Sequence, residues 1–169
     1  GINIDHFAPM TPKTDNNGKF VFLYIGRLLR DKGVIEFVEA AAQLKKVYPE
    51  ASCQIIGPVW DSNKKSLALS QADVDGWVSQ GWISYLGTQN DVRPFIAAAD
   101  CIVMPSYREG MNNVLLEAAS MEKPLITTNV TGCKEIVDDG VNGLLCRVKD
   151  SADLAEKMIR LSGKEPGSE

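Results

Sequence analysis

Between Phe20 and Leu161 the chain alternates, about six times, between a short run of apolar strand formers and a longer amphipathic stretch. Few folds accept that rhythm. A strand that is apolar along its whole length must be covered on both faces, and a crossover long enough to hold a helix joins its strands in parallel. The pattern predicts a doubly wound, Rossmann-like α/β domain, with a parallel sheet of about six strands and helices on both faces. Such sheets bind ligands outside the carboxyl ends of their strands. The loops after Ile25, Ile56, Leu86, Met104 and Thr128 are therefore the ones expected to hold function.

Strands are expected at Phe20–Ile25, Ser52–Ile56, Trp82–Leu86, Cys101–Met104, Pro124–Thr128 and Gly143–Cys146. The clearest helical spacing runs from Asp31 to Val47 and stops before Pro49. Further helices are expected at Lys65–Gln80, where Gly76 interrupts the pattern, and at Val92–Ala98, whose Pro94 fits only a first turn. Asn112–Met121 and Ala152–Leu161 complete the set. Residues 1–18 hold two prolines and no sustained periodicity, so they read as a linker opening the domain at 19–162; the breaker-rich 163–169 read as a flexible tail.

Charge and composition narrow the function. A formal net charge of −4 over 169 residues argues against a nucleic-acid footprint, which needs a basic face. No apolar run approaches the roughly 20 residues of a membrane span, and the start does not read as a signal peptide. Cys53, Cys101, Cys133 and Cys146 form no CxxC pair and read as buried free thiols of a reducing compartment. His6 is the one histidine, so a serine–histidine triad or a histidine-based metal site is excluded within the chain.

Two loops carry groups with chemistry. The first reads Gly26-Arg27-Leu28-Leu29-Arg30-Asp31-Lys32-Gly33. Gly26 permits a sharp turn, and Arg27 and Lys32 flank the entrance of the next helix, where cations and the positive dipole end together suit a pyrophosphate. Two solvated surface cations are the competing account. It is neither a GxGxxG fingerprint nor a P-loop. The second loop and helix, from Pro105 to Ala118, contain Glu109 and Glu117. Helical side chains lean toward the N-terminus, so Glu117 tilts back toward the edge where Glu109 lies, beside the unpaired N–H groups of Gly110, Met111, Asn112, Asn113 and Val114. Carboxylates accept from sugar hydroxyls, and free N–H groups donate to phosphate. Helix-start electrostatics for Glu109 and an exposed helical position for Glu117 are the competing accounts.

EGMNNVLLEA resembles the E-x7-E motif of glycosyltransferase family 4, whose members have the two-domain GT-B fold. IGRLLRDKG is similar to that family's phosphate-binding loop, YLGTQNDV to its nucleobase loop, TGCKEIVDDGVNGLL to its segment before the sixth strand, and GINIDHFAP to its interdomain linker. The five lie in the family's order and cover nearly the whole chain. The resemblance implies one half of a GT-B enzyme, the nucleotide-sugar-binding C-terminal domain, inactive alone. It implies that Arg27 and Lys32 neutralise the donor diphosphate, with Glu109 on hydroxyls of the transferred sugar beside the amides of Gly110, Met111 and Asn112. Backbone around Gln89 would meet the base, Asn113 and Val114 amides the phosphates, and Glu117 the ribose. Met111-Asn112-Asn113 stands where the family often has an aromatic residue, a departure that bears on the identity of the sugar.

PSYREG and ITTNVTGCKEIV resemble bacterial members that build polysaccharides and glycan-lipids. That implies transfer of a hexose or N-acetylhexosamine, with retention, from a UDP-sugar to a glycan or a polyprenyl-diphosphate-linked acceptor. No metal or other cofactor is expected. The setting is cytoplasmic, with the full-length enzyme peripheral at the inner face of the membrane through its other half. A nucleotide-sugar 2-epimerase of the same fold and a non-catalytic flavodoxin-like binding module are the alternatives. The second would need clustered acids where Gly26-Arg27 stands.

Overall fold

The structure, a computed structural model, describes residues 19–59, 67–110 and 113–163. The predicted linker, the tail beyond Gly163, His6, Trp60, Met111 and Asn112 lie outside the described residues.

Six strands, β1 (Val21–Ile25), β2 (Ser52–Ile56), β3 (Ser84–Tyr85), β4 (Cys101–Met104), β5 (Leu125–Thr128) and β6 (Gly143–Cys146), form one sheet in the order β3-β2-β1-β4-β5-β6. Every pairing is parallel, with Ile25 beside Ile56 and Phe22 beside Cys101 at the centre. The helices are α1 (Val34–Val47), α2 (Gln71–Ser79), α3 (Arg93–Ala98), α4 (Asn113–Ser120) and α5 (Ser151–Leu161). The expected doubly wound sheet is the one observed.

The apolar runs are explained by two buried layers. Along β1, Phe22 and Tyr24 join a core with α1, α2 and α5, while Val21, Leu23 and Ile25 join a second core with α3 and α4. β4 divides in the same way, Cys101 and Val103 to one side and Ile102 and Met104 to the other. Trp77 and Trp82 are half-buried against the first layer, a packing role. The four cysteines are buried free thiols, and burial raises the thiol pKa values of Cys53 and Cys146 to about 12, so these two stay protonated and inert.

Four local expectations are corrected. Asp31 does not begin the long helix: Arg30–Lys32 form a single 3-10 turn ended by Gly33 at φ 76°, and α1 starts at Val34. The helix expected from Lys65 begins at Gln71, because residues 67–69 pair with the β1–α1 loop instead. Arg30 N–H donates to Leu67 O at 2.7 Å and Leu69 N–H to Leu28 O at 3.2 Å. Gly76 does not break α2. It is exposed, a reciprocal cap between Ser70 and Asp73 anchors the first turn, and the roughly 1 kcal/mol penalty of an interior glycine is tolerated. The third strand is also shorter than Trp82–Leu86: only Ser84 and Tyr85 stand in register with β2, although Leu86 N–H still donates to Ile55 O at 2.9 Å.

Candidate functional site

β1 connects outward to β2 on one side of the sheet, while the chain returns to β4 on the other. The crevice between the carboxyl ends of β1 and β4 is thus the topological switch point. A cleft of about 430 Å³ opens there, lined by Ile25, Gly26, Arg27, Lys32, Met104, Glu109, Asn113 and Val114. Two loops more than seventy residues apart in sequence are brought together.

Their contact is built from backbone. Gly33 presses on Pro105 so closely that a Cβ would stand 1.9 Å from its carbonyl oxygen, and Tyr107 N–H donates to Asp31 O at 2.9 Å. Beneath Gly26, the buried Tyr24 hydroxyl donates to Arg27 O at 2.7 Å. Burial, followed by the negative charges of Glu109 and Asp31, raises the Tyr24 pKa far above the ordinary phenol value. Tyr24 is therefore a permanent donor that pins the Arg27 backbone at the rim. The Arg27 side chain itself reaches an exposed position.

Lys32 Nζ and Glu109 Oε2 form an ion pair at 2.9 Å, with the Glu109 side chain only 10% exposed. Ser106 Oγ donates to the same oxygen at 2.7 Å. Asn113 and Val114 open α4, whose first N–H groups have no partner within the helix and carry its positive dipole end. One cleft therefore combines two cations, a helix N-terminus and one carboxylate. That set accepts a multiply charged anion while leaving an acceptor for hydroxyl donors.

Not every expected residue lines the cleft. Gly26, Arg27, Lys32, Glu109, Asn113 and Val114 do; Gly110, Gln89 and Glu117 do not. Gly110 follows Glu109 at the surface, and its carbonyl lies against Gly132. Gln89 uses its side-chain amide on Leu86 O at 2.7 Å, which shapes its own loop. Glu117 is half-buried one turn beyond Asn113, on the same helical stripe. It lies near enough to α3 to raise the pKa of Arg93, whose chief partner is Asp91. Among the described residues, no group of His, Cys, Asp or Glu could hold a metal ion, and no helix is long and apolar enough to cross a membrane.

Sequence reasoning missed Ser106, Tyr24 and the Lys32–Glu109 pair. Ser106 stood in the stretch already singled out, three residues before Glu109, a spacing at which a hydroxyl reaches a neighbouring acceptor. The ion pair had no local signal.

Known proteins are similar to this chain in sequence and fold. An N-acetylgalactosaminyltransferase of Campylobacter jejuni, named for its N,N'-diacetylbacillosaminyl-diphospho-undecaprenol acceptor, is 30% identical over 171 residues, covering 95% of this chain and 43% of that protein. An Escherichia coli α-1,3-galactosyltransferase, named for UDP-Gal and an α-D-GlcNAc-diphosphoundecaprenol acceptor, is 28% identical, covering 96% and 43%. The crystal structure of the C-terminal domain of LpcC, a glycosyl transferase group 1 family protein of Francisella tularensis, superposes with a TM-score of 0.73 at 26% identity, covering 97% of this chain and 92% of that one. The chain thus spans less than half the length of the two transferases. A family model described as "Glycosyl transferases group 1" matches residues 19–164, across the whole sheet and the cleft at its switch point, and this chain belongs to that family.

Proposed function

We propose that this chain is the sugar-nucleotide-binding half of a retaining hexosyltransferase of glycosyltransferase family 4. The whole enzyme moves a hexose or N-acetylhexosamine from a UDP-sugar to a glycan or a polyprenyl-diphosphate-linked acceptor. The observation that carries this reading is the convergence of Arg27, Lys32, Glu109 and the start of α4 in one cleft. The names of the two transferases support the donor and acceptor classes.

In this reading the diphosphate lies against Arg27, Lys32 and the first amides of α4. Negative charge grows on it as the bond to the sugar breaks. Positive groups already in place stabilise that growth more than they stabilise the ground state, which lowers the barrier. The same groups supply the charge a divalent cation would bring, so the proposal includes no metal. Glu109 accepts from hydroxyls of the transferred sugar beside Gly110, Met111 and Asn112. Glu117 takes the ribose, and the backbone near Gln89 takes the base. Both acids position rings and are not a hydrolase pair. The acceptor is held by the part of the enzyme outside this chain, working in the cytoplasm at the inner membrane face.

Calorimetry of the chain with UDP, GDP and ADP tests this, with UDP expected to bind most tightly. Arg27→Ala should weaken UDP roughly tenfold, the loss of one charge-assisted contact, while leaving free uridine nearly unchanged. An equal loss for both ligands removes the diphosphate clamp. Indifference to all three nucleotides removes the donor site.

A further inference from the structure

Glu109 is held more tightly than a solvent-facing carboxylate needs to be. Its Oε2 accepts from both Ser106 Oγ at 2.7 Å and Lys32 Nζ at 2.9 Å, while among the described residues Oε1 takes part in no hydrogen bond. Ser106 is fully buried, so its hydroxyl has no water with which to exchange. Its own backbone is fixed in turn: Thr128 Oγ1, also buried, donates to Ser106 O at 2.6 Å, and Thr127 Oγ1 donates to Met104 O at 2.7 Å. From the far side Gly132 closes on the loop, where a Cβ would lie 2.3 Å from Glu109 O. Two consecutive threonines of β5 and a glycine after it thus clamp the segment that carries one carboxylate.

Ser106 holds Glu109 Oε2 whether or not Lys32 is drawn to a diphosphate, and a carboxylate fixed through one oxygen presents its other oxygen in one direction only. We propose that Ser106 is a positioning residue for sugar selectivity: it holds Glu109 so that Oε1 alone reads a single hydroxyl of the transferred sugar. This rests on the donor-site reading above. A freely turning carboxylate would accept from either member of a vicinal pair and tolerate epimers. A fixed one discriminates, because an epimer whose hydroxyl points elsewhere leaves Oε1 without a donor.

The test titrates the chain with UDP, UDP-glucose, UDP-galactose, UDP-N-acetylglucosamine and UDP-N-acetylgalactosamine. Wild type is expected to distinguish among the four sugar nucleotides. Ser106→Ala should bind UDP within about twofold of wild type, bind the preferred sugar nucleotide roughly tenfold more weakly, and narrow the spread among the four. In a Glu109→Ala background, Ser106→Ala should change the ratio of sugar-nucleotide to UDP affinity no further, because nothing is left to position. Ser106→Thr keeps the hydroxyl and should restore the ratio; Thr128→Val, one step removed, should shift it in the same direction as Ser106→Ala but less. Equal losses for UDP and sugar nucleotides in Ser106→Ala, an additive effect in the double variant, or a wild type that binds UDP but treats all four sugars alike would each overturn the positioning role and leave the donor site standing. A wild type that does not bind UDP overturns the donor site, and the positioning role with it.

Discussion

Gly33 joins the two halves of the cleft at a single atom's width. Its φ of 76° lies in the region that side chains disfavour by about 1–2 kcal/mol, and the space for a Cβ is already filled by Pro105 O. Gly33→Ala must therefore move the β1 loop away from the β4 loop as well as strain the backbone. We expect a loss of more than about 2 kcal/mol in urea unfolding, with weaker UDP binding even where the protein remains folded. Full stability and affinity in this variant would mean that the two loops are not held together here. The same closeness brings Lys32 within reach of Glu109, so a cation expected to serve phosphate is paired with an acid expected to serve sugar. A diphosphate that draws Lys32 toward itself leaves Glu109 with Ser106 as its remaining described donor.

At the scale of elements, α5 shows how a helix outside the cleft lining steadies the sheet. Asp150 caps it, accepting from Asp153 N–H at 2.9 Å and from Arg147 Nε at 2.9 Å. The backbone N–H of Asp153, followed by the Arg147 guanidinium, holds the Asp150 carboxyl below its ordinary range. A carboxyl lowered by folding stabilises the fold above its unfolded pKa, near 4, and that contribution is lost as pH falls through the lower folded value. Wild type should accordingly lose urea resistance between pH 5 and pH 3 more steeply than Asp150→Asn, which caps without titrating. Parallel slopes for the two proteins would remove Asp150 from the acid response. Its neighbour α1 packs directly on α5, so acid weakening is expected to spread along that layer.

For the whole molecule, two buried layers cover one central strand, and the cleft lies where the strand order reverses. The C-terminal domain of LpcC, of nearly the same extent, forms an ordered crystal, and the two layers here are closed by residues of this chain. We expect the 169-residue chain to unfold in one cooperative transition and to bind UDP, while transferring no sugar to a diphospho-undecaprenol-linked acceptor until the remainder of the enzyme is supplied. Transfer by the chain alone would contradict the proposal that it is a donor-binding half.

Much of this architecture was legible before the structure. Continuous apolar runs such as Val21–Ile25 report burial on both faces, a requirement local enough to be read residue by residue. The carboxyl-end loops followed from it; the candidate roles of Arg27, Lys32 and Glu109 came from the charges on those loops and from the family resemblance. Less legible was whatever depends on partners distant along the chain. Gly76 stays helical because it meets open solvent; residues 67–69 leave the predicted helix because the β1–α1 loop offers them backbone partners. Ser106 acquires its role because β5 stands behind it, and Lys32 meets a carboxylate 77 residues away. Hydrophobic periodicity is a property of neighbours in sequence, whereas strand order is set by packing the whole chain, and only strand order determines which loops of that edge stand side by side.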